Sequence, residues 1–159
     1  MHKHIDGDHN FNRRTLLRSL GLLPGFAVPL VYAAESSEPI AQPTDTTPQG
    51  FMQRAFEMQE LAIQTGDQGY GAMLVRDGRV VGEAPSRVIV NGDPTAHAEI
   101  EAIRDTARRL GTRNLQGCVM YSSSPPCPMC EAAAYWAGVD RLVYSHDVTD
   151  GGAPRLSRC

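Results

Sequence analysis

The feature that most restricts the fold is a pair of short motifs, His97-Ala98-Glu99 and, further along, Pro126-Cys127-Pro128-Met129-Cys130. The second sets two thiols at i and i+3, on one side of a helix's first turn, where unpaired backbone N–H groups and the helix dipole favour thiolate. That spacing serves a metal site and a redox dithiol alike, so alone it leaves both open. The first sets an imidazole and a carboxylate two residues apart, about 200° of rotation on a helix. They share no lateral face and converge only beyond the helix end. A lone His or Glu at a helix start is ordinarily a cap or a solvated residue. Where two helix N-termini meet, one imidazole and two thiolates can instead hold zinc and leave a fourth position for water, as catalytic sites do. Two thiolates cancel the charge of Zn²⁺ and acidify that water less than histidines would, so a carboxylate base is needed, and Glu99 is the candidate.

The surrounding pattern supplies such helices. Thr47-Pro48 reads as an N-cap and first turn, after which Phe51, Ala55, Met58 and Ala62 recur at helical spacing until Gly66. Gly71–Arg76 and Arg79–Glu83 flank Asp77-Gly78, a dipeptide suited to a two-residue hairpin turn. Thr95 is expected to cap a second helix that buries Ile100, Ile103, Ala107 and Leu110 and stops at Gly111. Cys118–Ser122 reads as a buried strand, Pro126–Ala137 as a helix ended by Gly138, and Arg141–Ser145 as another strand. Strands alternating with helices after a hairpin predict an α/β fold with a mixed sheet. Cys118, on a strand, reads as a small core residue, and terminal Cys159 has no assigned role.

Charge divides the chain. It has 159 residues and a formal charge of −3. Residues 1–34 hold Lys3, Arg13, Arg14 and Arg18 against Asp6 and Asp8, net +2, which leaves the other 125 with 11 Arg, no Lys and 16 acids, net −5. Such a body lacks the basic stripe that a long nucleic acid needs, and a small uncharged or cationic ligand suits it better. Ser19–Ala34 is an uncharged run of 16 residues broken by Pro24, Gly25 and Pro29. It is short for a membrane span of roughly 20 residues but fits a secretory apolar region, with Val31-Tyr32-Ala33 as cleavage site. Asn12-Arg13-Arg14-Thr15-Leu16-Leu17-Arg18 resembles a twin-arginine signal. The alternative is an uncleaved amphipathic anchor. The reading is thus a signal peptide over 1–34, a Ser/Pro/Thr-rich flexible linker over 35–47 and a catalytic domain over 48–159. The mature protein then sits in the periplasm or another extracytoplasmic space, with no membrane span after cleavage and the twin-arginine export machinery as a partner.

Over Pro48–Ser145 the chain resembles the cytidine and deoxycytidylate deaminase superfamily, most of all its guanine-deaminase-like and transfer-RNA-adenosine-deaminase-like branch. The resemblance rests on Asp93-Pro94-Thr95-Ala96-His97-Ala98-Glu99-Ile100-Glu101-Ala102-Ile103-Arg104, on Cys127-Pro128-Met129-Cys130 and on Ala134-Tyr135-Trp136-Ala137. A His-x-Glu followed by Pro-Cys-x-x-Cys is the signature of zinc nucleobase deaminases. It implies a three-layer α/β/α fold, Zn²⁺ on His97, Cys127 and Cys130, and Glu99 as the proton shuttle in hydrolytic loss of ammonia. It also implies Ala98 as a backbone N–H donor to the tetrahedral intermediate. Trp136 or Tyr70 is expected to help wall the pocket, and an oligomer is usual.

The departures fall where the ring is read. Relatives generally have a substrate-contacting asparagine eleven residues before the histidine, where this chain has Ser86. Pro125-Pro126-Cys127 stands where relatives have Glu-Pro-Cys. No fifth strand or last helix is legible after Ser145; a bare sheet edge would invite pairing, so either the tail covers it or a second subunit does, and a homodimer is expected. The expectation is a zinc hydrolase that deaminates a purine base, guanine-like, or a related aminated heterocycle. A cytosine- or cytidine-type deaminase and a degenerate zinc-stabilised binding domain are the alternatives. A transfer-RNA substrate is disfavoured by the leader and the acidic body.

Overall fold

The computed structural model describes residues 38–156, so the leader over 1–34 and Cys159 lie outside the described residues. Helix α1 (Pro48–Gln64) starts where the sequence places it, the Thr47 hydroxyl accepting from the Gly50 N–H at 3.3 Å with proline in the first turn. Strands β1 (Gly71–Arg76) and β2 (Arg79–Pro85) form an antiparallel hairpin, with Asp77 and Gly78 both at positive φ (52° and 71°), as a mirror-image two-residue turn requires. A four-residue helix, α2 (Val88–Asn91), precedes α3 (Ala98–Leu110), which ends on Gly111 in the left-handed region. Then follow β3 (Val119–Ser122), α4 (Pro128–Ala137), β4 (Arg141–Tyr144) and β5 (Thr149–Gly152).

The sheet runs β2-β1-β3-β4-β5, with only β3 and β4 parallel, because α4 carries the chain back between them. It is a mixed sheet in an α/β fold, and the strand period sorts its two faces. Met73 and Val75 of β1 point to α1 and pack with Phe51, Met52, Ala55, Tyr121 and Val143. Ala72 and Leu74 point the other way and pack with Ala98, Ala102, Met120, Ala134 and Leu142, under α3 and α4. Close approach needs glycine: a Cβ on Gly71 would overlap the Ala55 carbonyl of α1, and one on Gly82 would overlap the Thr106 backbone of α3.

Three readings change. Thr95 does not cap α3, because its N–H and hydroxyl both bond Asp93 Oδ1, at 2.8 and 2.7 Å, in a local turn, and His97 takes the cap position. A fifth strand exists: Thr149–Gly152 turns back antiparallel on β4, so the tail itself covers that edge and the bare-edge argument for a homodimer loses its premise. Residues 38–47 are tied down. Ile40 packs on the α1 cluster, the Glu38 carbonyl accepts from Arg109 at 2.6 Å, and the Gln42 carboxamide bonds both the Val80 N–H and the Val80 carbonyl, at 2.8 and 3.0 Å. Gln42 thereby does for the edge strand β2 what a neighbouring strand would do. Among the described residues no helix is long and apolar enough to cross a membrane.

Candidate active site

Two helix N-termini meet at the end of β3. His97 caps α3 and Cys127 caps α4; both have extended backbone, and neither side chain bonds a backbone N–H of its helix's first turn. Freed from capping, the two side chains turn toward each other and toward Cys130 in the first turn of α4. His97 Nδ1 lies 3.7 Å from Cys127 Sγ and 3.6 Å from Cys130 Sγ, and the two sulfurs are 3.6 Å apart. A tetrahedral ion with Zn–S of about 2.3 Å and Zn–N of about 2.05 Å requires edges of about 3.8 Å between sulfurs and about 3.6 Å from sulfur to nitrogen. The triangle fits zinc on size and on donor type. Burial, then the Glu99 carboxylate and Cys127, push the Cys130 thiol far above the ordinary thiol range, so without a cation beside it this sulfur keeps its proton.

Glu99 is the second residue of α3 and only 6% exposed. It converges with His97 because His97 stands outside the helix, which removes the 200° problem. The Ser122 hydroxyl donates to Glu99 Oε1 at 3.0 Å, and Oε2 lies 3.4 Å from Cys130 Sγ. One oxygen is fixed while the other faces the metal-ligand triangle. Above them opens a cavity of about 440 Å³, lined by Gln68, Tyr70, His97, Glu99, Ser124, Pro125 and Cys127. That is the size range of small-molecule pockets.

The structure brings His97, Cys127, Cys130 and Glu99 together. Ala98 is buried at the first position of α3, where a backbone N–H has no intrahelical acceptor. Tyr70 lines the cavity. Trp136 does not: it is 75% exposed on α4, edge-on to Tyr135 at 5.6 Å. Ser86 is fully buried, donates its hydroxyl to Asp67 Oδ1 at 2.8 Å and is absent from the cavity lining. Sequence reasoning missed Ser122, Ser124, Gln68 and Asp67. The run Ser122-Ser123-Ser124, ending an apolar strand just before the cysteine motif, was the available signal for the first two. Nothing periodic marks Asp67-Gln68.

Among known proteins, residues 45–146 match the family model described as the cytidine and deoxycytidylate deaminase zinc-binding region. A guanine deaminase of Bacillus subtilis (strain 168) is 40% identical over 101 residues, 63% of this chain and 65% of that protein. A tRNA-specific adenosine deaminase of Aquifex aeolicus (strain VF5) is 35% identical over 95 residues, 60% of this chain and 63% of that protein. The X-ray structure of guanine deaminase from Bacillus subtilis superposes with a TM-score of 0.58 at 38% identity, covering 60% of this chain and 61% of that one. The chain therefore spans a little under two thirds of these relatives' lengths.

Proposed function

The chain belongs to the cytidine and deoxycytidylate deaminase zinc-binding family, and from that membership we propose that it is a zinc-dependent hydrolytic deaminase. Its substrate is a purine base, guanine-like, or a related aminated heterocycle. The observation that carries this reading is Glu99, held by Ser122 through one oxygen while the other faces the His97–Cys127–Cys130 triangle inside a cavity sized for one ring system. Zinc held by His97, Cys127 and Cys130 would supply Lewis-acid activation of water at the amino-bearing ring carbon. Glu99 takes one proton of the attacking water and gives it to the ring nitrogen, then takes the remaining proton from the new hydroxyl on the ring carbon and gives it to the departing amine, so that a carbonyl forms as the amine leaves. The water oxygen bonds the ring carbon, the carbon–nitrogen bond breaks and ammonia leaves. The Ala98 N–H donates to developing negative charge, and Tyr70 and Pro125 help keep bulk water away.

A free base is favoured over transfer RNA by the acidic body and by the similarity to a guanine deaminase. The protein is also read as a homodimer exported by the twin-arginine machinery. Support for export is the leader around Arg13-Arg14, which lies outside the described residues, and support for the dimer is the oligomeric habit that the resemblance implies. The test is ammonia release by the purified zinc-loaded protein from guanine, adenine, cytosine, cytidine, aminotriazines and aminopterins. Turnover of a purine is expected. Turnover of cytosine or cytidine alone would replace the substrate class, and silence across the panel from folded, zinc-loaded protein would make the chain a binding domain.

A further inference from the structure

The fully buried Ser86 hydroxyl is committed to Asp67 and cannot reach a ring in the cavity. The same Asp67 carboxylate accepts three more hydrogen bonds, from the backbone N–H groups of Gln68 (2.8 Å), Ile89 (2.9 Å) and Val90 (2.9 Å). It thus pins the loop after α1 to the end of β2 and to α2. The next residues are held as well. The Tyr70 N–H donates to the Gln68 carbonyl at 2.7 Å, closing a three-residue turn, and the Tyr70 carbonyl accepts from the Ser86 N–H at 2.9 Å. Gln68 is therefore an exposed side chain on a fixed backbone at the cavity mouth, in the same lining as His97, Glu99 and Cys127. Among the described residues its carboxamide makes no hydrogen bond.

We infer that Gln68, positioned by Asp67, reads the heterocycle's hydrogen-bonding edge in place of Ser86, and that it selects rings with an adjacent acceptor and N–H, as in a lactam. This rests on the deaminase reading above. A primary amide offers a donor and an acceptor side by side and pairs with such an edge through both. The other neutral side-chain polar groups in the lining, Tyr70 and Ser124, each offer one hydroxyl. The arrangement moves recognition from the end of β2 to the loop after α1, and Asp67 is the residue that makes the move possible.

The test compares Gln68→Ala and Ser86→Ala with the parent protein. The readouts are kcat and KM on the best substrate of the panel, binding of 8-azaguanine by calorimetry, zinc content and melting temperature. Gln68→Ala is expected to raise KM and weaken 8-azaguanine about tenfold, the loss of one or two neutral hydrogen bonds, with a smaller change in kcat and with zinc and melting temperature unchanged. Ser86→Ala is expected to lower the melting temperature, because it strips a partner from Asp67, and to raise KM less. A Gln68→Ala KM and 8-azaguanine affinity within twofold of the parent would overturn the inference while leaving the deaminase standing. A parent protein inert on the whole panel would overturn both.

Discussion

Glu99 differs from the surface carboxylates around it in being buried and fixed at one oxygen, which is why a change there should be catalytic rather than structural. Glu99→Gln keeps the Ser122 bond and the volume, so zinc should stay bound while kcat falls on the order of 10³-fold or more, about 4 kcal/mol of transition-state stabilisation. Metal analysis beside steady-state kinetics checks this, and near-parent activity would remove Glu99 from the reaction. Ser122→Ala frees the carboxylate without removing it, and a kcat drop of about tenfold with full zinc is expected from the loss of one hydrogen bond to a charged group. Cys118 behaves in the opposite way. Burial pushes its thiol up, and the Arg76 charge only partly offsets this, so the group stays a protonated core residue. Peptide mass spectrometry after iodoacetamide treatment of native protein should find it unlabelled, and labelled once the chain is unfolded in guanidinium. The metal ligands were legible in the sequence because their chemistry requires Cys and His at fixed spacing. Ser122 was marked only by the serine run before the cysteine motif, since a serine acquires its role from what the fold sets beside it.

At the scale of elements, legibility followed local physics. The α1 start, the Asp77-Gly78 turn and the Gly111 and Gly138 stops each announce themselves through a conformation that few other residues tolerate. Strand β5 does not, because Thr149-Asp150-Gly151-Gly152 has no apolar alternation and pairs through its backbone alone at the sheet edge. Helix α2 is too short to show a period, and the cap of α3, His97, falls two residues after its apparent cap because Asp93 claims Thr95. The tie between the loop after α1 and α2 is electrostatic and has a pH signature. Burial raises the Asp67 carboxyl, but hydrogen bonds from the Val90 N–H, the Ser86 hydroxyl, and the Gln68 and Ile89 N–H groups outweigh it, holding the carboxyl below its ordinary range. A folded pKa below the unfolded value of about 3.9 gives stability that is complete above about pH 5 and is lost as pH falls through the folded value. Asp67→Asn should therefore be less stable than the parent at pH 7, with the two converging in urea melts as pH drops below about 4. Packing of α3 on β2 makes a second prediction. Gly82→Ala drives a methyl into the Thr106 backbone, and ~2–3 kcal/mol of destabilisation is expected from equilibrium unfolding.

Taken as a whole molecule, the sheet carries a helical layer on each face. On one face α1 is locked by a large apolar cluster and by Arg54, whose guanidinium bonds both Glu83 oxygens at 2.8 and 2.6 Å. On the other, α3 packs through Ala98, Ala102, Ile103, Ala107 and Leu110 and α4 through Ala134 and Ala137, and the two helices meet at N-termini where sulfur and carboxylate crowd together. The buried side chains of α4 are small and bury less apolar area per residue, so α4 depends more on whatever joins it to α3 at that point. An ion held by His97 from one helix start and by Cys127 and Cys130 from the other is such a joint, and its binding free energy adds to folding. Stripping the metal with dipicolinate should lower the melting temperature by about 10 °C or more, given the few degrees per kcal/mol expected for a domain of this size. The loss should be uneven. Hydrogen exchange of the stripped protein should quicken first in the opening turns of α3 and α4, while α1, β1 and β2 keep their protection. Cys130→Ala should reproduce both effects without chelator. Superimposable melts with and without metal, or uniform exchange across both layers, would mean that the apolar packing holds α3 and α4 unaided and that the ion serves the chemistry alone.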